Sequence, residues 1–214
     1  MGLFSKKEDC PVCGGEVKGL FLKKIADKKT LCKNCSEQLS MKADLLKAAS
    51  PDYMREHLEY RRKNAEWYTA AHWDAVYEPL SLQMGVDLNE KTVYIRHIDM
   101  DDLDNPVVFS FDQITDYALY RMKKKVDDAQ DPGDTALESG MSVLSGFNKL
   151  AGKGNDSYDY LKLCLTTTDP YWPDLELKFN NPDNELYSFG GCAEELKTVC
   201  QILKRIVRRE PVHI

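Results

Sequence analysis

Two cysteine pairs near the start of the sequence have the spacing of a metal site. Each pair has the form Cys-x-x-Cys and 18 residues separate the pairs, which are Cys10 with Cys13 and Cys32 with Cys35. A two-residue gap lets both thiolates of a pair face one point, and two such pairs complete a tetrahedral site for Zn²⁺. Gly14 and Gly15 supply the permissive backbone that a knuckle turn needs. We therefore predict one structural zinc ion per chain.

The alternative for these four cysteines is a pair of disulfides in a secreted module. We recognise no signal peptide before them, and the remaining cysteines lie in apolar surroundings typical of buried thiols: Cys164, Cys192 and Cys200. Both observations favour zinc and a reducing, cytoplasmic setting. Because four cysteines fill a tetrahedral site, no position remains for a catalytic water.

The histidines give no support to an enzymatic function. They are dispersed and form no recognised motif: His57, His72, His97 and His213. The best constellation joins His97 to Asp99 and Asp101, but a histidine at a strand end beside an acidic loop is more often structural. Cys164 has no basic neighbour that would activate it, and the chain has no P-loop, Rossmann fingerprint or His-Glu-x-x-His motif. We therefore expect a protein that is not an enzyme.

The charge distribution argues weakly for nucleic acid as a partner. The net charge is −6, but residues 1–70 hold 14 lysines and arginines against 10 acidic residues. Several lysines give the cysteine module a basic side: Lys18, Lys23, Lys24, Lys28, Lys29 and Lys33. So small an excess does not by itself predict binding to a phosphate backbone. No apolar run approaches the ~18 residues of a membrane span.

The first 75 residues divide into a small module and a helical spacer. Within the module, residues 1–42, we expect a hairpin from residues 16–22 and 27–31, and a helix that starts at Ser36. Residues 43–75 have a helical pattern, and Pro51 is suited to a first turn capped by Ser50. The charged residues of this spacer predict a solvated face: Glu56, Glu59, Arg61, Arg62, Lys63 and Glu66.

Residues 76–214 predict an antiparallel β domain capped by a C-terminal helix. Alternating apolar residues indicate a hairpin at 80–88 and 92–98, and strands at 107–111, 117–120, 160–166 and 174–179. An apolar stripe with helical spacing covers residues 193–209. In an excursion at 123–157, another such spacing predicts a short helix on Leu137, Met141, Leu144 and Phe147 or Asn148. The fold class is therefore α+β.

The order of these segments resembles a family of uncharacterised bacterial proteins. In that family an N-terminal zinc ribbon, similar to a treble clef, precedes a domain like the pleckstrin-homology fold. The resemblance rests on the four cysteines and on the segment Phe111-Asp112-Gln113-Ile114-Thr115-Asp116-Tyr117-Ala118-Leu119. It implies zinc on the four cysteines and a cytoplasmic setting, and it implies no known reaction because fold does not fix function.

The function that we expect is that of an adaptor or scaffold that binds a macromolecular partner, with protein as the first choice. The zinc module and a groove between a sheet edge and the final helix offer surfaces for it. One alternative is nucleic acid at the zinc module. The other is a membrane surface that binds Arg121, Lys123, Lys124 and Lys125, although Asp127, Asp128 and Asp131 follow and would repel anionic headgroups. The sequence does not indicate an oligomeric state.

Overall fold

A computed structural model describes residues 8–18, 22–25, 28–40, 43–79, 81–97, 100, 104–122, 135–139, 160–179 and 189–214. These residues form two compact units. The first consists of the described residues within Met1–Ala70 and Met100–Pro106, and the second of those within Ala71–Asp99 and Val107–Ile214. This division differs from the predicted one, because helical residues up to Ala70 belong with the cysteine module.

The first unit contains three described helices, α1 (Lys33–Gln38), α2 (Ala43–Ala48) and α3 (Pro51–Ala70). The helix α1 begins three residues before the predicted Ser36. The start of α3 is as predicted, because the Ser50 hydroxyl accepts a hydrogen bond of 3.2 Å from the Tyr53 N–H and so caps the helix. The chain leaves the helical conformation after Ala70, and Ala75 already lies in a strand.

One apolar cluster forms the core of the first unit. It joins the cysteines to α2 and α3 through nine buried residues: Cys10, Val12, Ile25, Leu31, Cys32, Cys35, Leu39, Leu46 and Met54. Arg61 was predicted to lie on a solvated helix face, and this prediction was wrong because its side chain is buried. Its guanidinium donates to the Asn105 carbonyl, and Asn105 Nδ2 donates to the Arg61 carbonyl at 2.9 Å. The pattern of one helix could not reveal a partner so far away in sequence.

The first sheet of the second unit has four antiparallel strands in the order β1-β2-β3-β4. These are β1 (Ala75–Tyr77), β2 (Leu82–Asp87), β3 (Thr92–His97) and β4 (Val107–Ser110). The predicted hairpin is confirmed, with a register that runs from Leu82 opposite His97 to Asp87 opposite Thr92. The strand β1 was not predicted, because three residues are too few to establish an alternating pattern.

The second sheet is also antiparallel, in the order β6-β5-β7-β8, and the last helix follows it. Its strands are β5 (Ile114–Met122), β6 (Thr135–Ser139), β7 (Tyr160–Thr167) and β8 (Asp174–Phe179), and the helix is α4 (Phe189–Val207). A turn of 3₁₀ helix, Phe111–Gln113, precedes β5. The predicted apolar stripe of α4 is buried at Leu196, Val199, Cys200, Leu203 and Ile206, and α4 packs against β5.

The structure corrects the prediction for the excursion at 123–157. Leu137 lies in β6 and not in a helix, and its neighbours Glu138 and Ser139 pair with Leu119 and Ala118 of β5. Strand pairing therefore overrides the helical spacing of a short apolar pattern. The other positions of the predicted helix, 141–148, lie outside the described residues. The mixed α/β class, the antiparallel sheets and the C-terminal helix are confirmed, whereas the pleckstrin-like identity stays a prediction.

Among the described residues, no helix has the length and apolar composition that crossing a membrane requires.

Candidate metal centre

The structure brings the four predicted cysteines together. One sulfur from each of Cys10, Cys13, Cys32 and Cys35 lies within 4.8 Å of all the others, and the Sγ atoms of Cys13 and Cys32 are 3.6 Å apart. Metal–sulfur bonds of about 2.3 Å in a regular tetrahedron place the sulfurs about 3.8 Å apart. The sulfur positions therefore fit a tetrahedral metal ion. Three of the cysteines are buried and Cys13 is exposed.

The first pair sits in a tight turn that the local backbone closes. The Cys10 N–H donates to the Gly15 carbonyl at 2.8 Å, and the Gly14 N–H donates to the Cys10 carbonyl at the same distance. Gly14 has a φ of 73°, which explains why glycine follows the pair. The Gly15 N–H then donates to Cys13 Sγ at 3.4 Å. These bonds hold Cys10 and Cys13 in the knuckle geometry that the spacing predicts.

The second pair is held by the start of α1. Cys32 is the residue before the helix, and its Sγ accepts the Cys35 N–H at 3.4 Å. A short hairpin leads into it, with Lys24 paired to Thr30 and the Leu31 N–H bonded to the Lys23 carbonyl. The predicted hairpin was placed differently, because Glu16 pairs with Asp9 in the turn of the first knuckle.

The four thiols differ in how easily they ionise. Burial opposes ionisation of Cys10, but the N–H groups of Cys32, Cys13 and Val12 more than offset it and lower its pKa from 9.0 to about 6. Burial, and then the sulfurs of Cys13 and Cys32, raise the pKa of Cys35 well above its usual range. Four thiolates this close repel one another, and a divalent cation between them offsets that repulsion. The donor set is thus suited to a metal ion.

Arg55 of α3 contacts the first knuckle, and sequence reasoning missed it. Its Nη2 donates to the Pro11 carbonyl at 2.7 Å and its Nε to the Val12 carbonyl at 2.8 Å. Asp52, one turn earlier, forms an ion pair with the same guanidinium. The pairing of Asp52 with Arg55 is visible in the sequence as helical spacing, but nothing in the sequence connects either residue to Pro11.

Among the described residues two histidines are buried, and each lies within hydrogen-bond distance of a serine hydroxyl. His57 lies on the charged spacer helix, but its side chain is buried, and its Nε2 lies 3.3 Å from the Ser40 hydroxyl oxygen. Burial and then the charge of Arg61 lower its pKa from 6.5 to about 4. His97 is buried in the second unit, with its Nε2 2.9 Å from Ser81 Oγ and its ring edge-on to Phe179.

The other candidate residues are exposed or partly exposed, or lie outside the described part of the chain. Asp99 and Asp101, the predicted companions of His97, lie outside the described residues. His72 and His213 are exposed, and Cys164 is partly exposed on β7.

The lysines of the module divide into two groups. Lys18 pairs with Glu16 at 2.7 Å, Lys33 with Glu37 at 3.6 Å, and Lys23 Nζ lies 3.5 Å from the Ser36 carbonyl. The remaining three are exposed and form no ion pair with any described residue: Lys24, Lys28 and Lys29. Of the predicted membrane-binding group, Lys123, Lys124 and Lys125 and the side chain of Arg121 lie outside the described residues.

The second unit has an open groove of about 420 Å³ beside the end of α4. Its apolar lining includes Leu88, Phe111 and Ile206, and charged side chains flank it. Lys91 and Glu210 are exposed and form no ion pair with a described residue. Arg209 also lines the groove, and its Nη1 donates to the Phe111 carbonyl at 2.6 Å.

Comparison with known families shows a match to a domain of unknown function, DUF4428, over residues 8–57. The chain is similar to that domain over a segment that holds all four clustered cysteines and ends in α3, just after Arg55. The similarity therefore covers an N-terminal cysteine module that includes the start of α3. Searches of curated proteins and of solved structures gave no match.

Proposed function

We propose that this protein is a non-catalytic, zinc-containing adaptor that binds a macromolecular partner, with a protein as the first choice. The observation that carries the proposal is the closed set of four cysteines in the core of the first unit. A tetrahedral ion with four thiolate ligands has no open position for water or substrate. Such an ion supports a fold and leaves recognition to the surrounding surface.

Zinc is the metal that this ligand set suits best. Thiolates are soft ligands, and a tetrahedral set of four sulfurs is typical of zinc or of iron–sulfur centres. We favour zinc because the Cys-x-x-Cys spacing is that of a structural zinc module. The six cysteines whose side chains the structure describes are free thiols, which supports the proposed cytoplasmic setting. When bound, the ion would join the two knuckles and supply folding free energy.

The groove of the second unit supports a protein partner. Its apolar lining could bury a side chain, while Lys91 and Glu210 offer charges of opposite sign at its rim. An extended peptide with one apolar residue between an acidic and a basic residue has the matching chemistry. We therefore place the partner of the adaptor in this groove.

Nucleic acid is the second candidate, because one observation favours it. Lys24, Lys28 and Lys29 are exposed cations without an ion pair to the described residues, and phosphates would satisfy them. A membrane surface was the third expectation, and the residues that would bind it lie beyond what the structure describes.

Site-specific photocrosslinking distinguishes the two candidates. A benzophenone amino acid is placed at Lys91, in the groove, or at Lys28, in the zinc module, and cells are irradiated. We expect a protease-sensitive adduct at position 91 that disappears when Glu210→Lys is added. An adduct only at position 28 that nuclease removes would replace the protein partner by nucleic acid, and no adduct at either position would contradict the adaptor function.

A further inference from the structure

The guanidinium of Arg55 bridges two consecutive carbonyls inside the first Cys-x-x-Cys pair. These are the carbonyls of Pro11 and Val12, at 2.7 and 2.8 Å. The two residues are the ones that separate Cys10 from Cys13 in the sequence. The contact therefore falls on the backbone that sets the relative position of two metal ligands.

Because the peptide bond is planar, the contact with Arg55 also determines the direction of two N–H groups beside Cys10. The Pro11 carbonyl and the Val12 N–H belong to one peptide unit, and the Val12 carbonyl and the Cys13 N–H belong to the next. In a trans peptide the C=O and the N–H point in opposite directions. Holding both carbonyls toward Arg55 therefore turns both N–H groups to the opposite side of the backbone.

We propose that Arg55 is a positioning residue of the metal centre, which fixes the two peptide units between Cys10 and Cys13 so that their N–H groups face the Cys10 sulfur. The inference rests on the proposed binding of a metal ion by the four cysteines. Residues that orient the ligands of a metal typically change its affinity 10- to 100-fold when they are substituted.

The chemistry of arginine suits this role better than that of lysine. The planar guanidinium presents several N–H groups in a fixed fork, so it can donate to two neighbouring carbonyls at once. The ion pair with Asp52 limits the orientations that the side chain can adopt. A lysine at this position would retain the charge, but its single ammonium group could not fix the orientation of both peptide units.

In the second Cys-x-x-Cys pair, the backbone N–H is oriented without Arg55. There the start of α1 directs the Cys35 N–H to Cys32 Sγ at 3.4 Å. The first pair is followed by a turn at Gly14 and Gly15 and not by a helix, so an outside group orients its peptide units. The second pair therefore serves as an internal control.

Arg55→Lys and Arg55→Gln test the proposal through metal affinity. Each variant, as the full chain, is titrated with a chelator that competes for Zn²⁺. We expect one bound ion per chain with an affinity reduced about 10- to 100-fold. Arg62→Gln is the matched control, because Arg62 lies on the same helix with similar exposure and, within the described part of the chain, pairs with Glu59 and Glu66. Its metal affinity should equal that of the native chain.

A second measurement separates positioning from general destabilisation. With ¹¹³Cd in place of zinc, scalar couplings between the metal and amide protons report N–H···S hydrogen bonds. We expect couplings to the Val12 and Cys13 amides in the native chain, and their loss or clear reduction in Arg55→Lys. The coupling to the Cys35 amide should remain in both.

The measurements distinguish failure of the zinc site from failure of the role of Arg55. A native chain that binds no metal would refute the proposed zinc site. A native chain that binds zinc, with Arg55 variants of unchanged affinity, would refute only the role of Arg55. Reduced affinity with intact couplings at Val12 and Cys13, or with equal losses at all three amides, would also refute positioning and leave a purely structural contact.

Discussion

The sulfur atoms of Cys13 and Cys32 lie 3.6 Å apart, although these residues belong to different Cys-x-x-Cys pairs. The distance shows that the first unit folds so as to bring the two knuckles to one point. Among its described residues the core contains nine buried side chains, of which four are apolar residues of the module and three are cysteines. So small a core depends on an additional source of stability.

We therefore predict that the purified chain carries one zinc ion and that Cys32→Ser releases it and unfolds the first unit. Zinc in such sites supplies an apparent binding free energy of ~10–16 kcal/mol. We expect that so small a core does not stay folded when this contribution is lost. Elemental analysis gives the zinc content, and amide NMR spectra give the folded state of each residue. Cys164→Ser is the control, because Cys164 lies on β7 of the second unit and is not one of the four clustered cysteines, so the zinc should stay in place.

A disulfide outcome would contradict this prediction. If the native chain contains no zinc, and thiol titration shows that the four cysteines are oxidised, the metal centre is refuted together with the reducing setting. The same result would remove the basis for the role of Arg55.

Gly85→Ala should destabilise the second unit. The Tyr94 ring covers the Cα of Gly85 so closely that an added Cβ would lie 2.0 Å from Tyr94 Cε1. Tyr94 is buried and packs edge-on against Trp73, with ring centroids 4.6 Å apart, so its ring has little room to move. Overpacking of this kind costs about 1–3 kcal/mol. Urea unfolding of the full chain, followed by the NMR signals of the second unit, measures the loss.

The double variant Gly85→Ala with Tyr94→Leu tests the cause of that loss. Removing the ring opens the space that the new Cβ needs, so the two effects should be less than additive. Additive losses would show that the ring does not restrict Gly85.

The parts of the fold that the sequence predicted correctly depend on local patterns. The cysteine spacing, the hairpin of β2 and β3 and the apolar stripe of α4 each involve residues that are close in sequence. Such patterns can be recognised in the sequence, because the period of a helix or strand and the geometry of a knuckle are local properties. The cluster of four cysteines followed from two local motifs and one assumption, that they face each other.

The errors occurred where distant residues decide the structure. Arg61 is buried because Asn105 lies against it, and Leu137 is in a strand because β6 pairs with β5. Arg55 was overlooked because its partners are backbone carbonyls, which have no sequence signature. In each of these cases a tertiary contact overrides or adds to the local preference of the segment.

Asn64→Ala should destabilise the first unit by about 1–3 kcal/mol for each buried acceptor that loses its donor. The Asn64 side chain is buried, and its Nδ2 donates to Asn105 Oδ1 at 2.6 Å and to the Pro106 carbonyl at 2.8 Å. Gln38→Ala is the matched control, because the Gln38 amide donates to Asn34 at 2.9 Å in an exposed position. Water can replace that bond, so we expect little change. Equal losses in both variants, measured by urea unfolding, would contradict this account.

The stability of the first unit should fall as the pH drops from 6.5 to about 4 because of His57. Burial, and then the charge of Arg61, lower the pKa of His57 from 6.5 to about 4 in the folded chain. Above pH 6.5 the histidine is neutral in both states, and its contribution is fully present. Between the two values the unfolded chain binds a proton that the folded chain does not, so unfolding is favoured. The loss amounts to about 3 kcal/mol.

Acid also protonates the cysteine thiolates and weakens metal binding, so the contribution of His57 must be isolated by difference. The variant His57→Gln keeps a polar side chain that can bond to Ser40 but cannot bind a proton in this range. We expect its free energy of unfolding to fall less steeply than that of the native chain between pH 6.5 and 4. Above pH 6.5 the difference between the two chains should be independent of pH. Parallel curves over the whole range would show that His57 takes up its proton as readily in the folded chain as in the unfolded one.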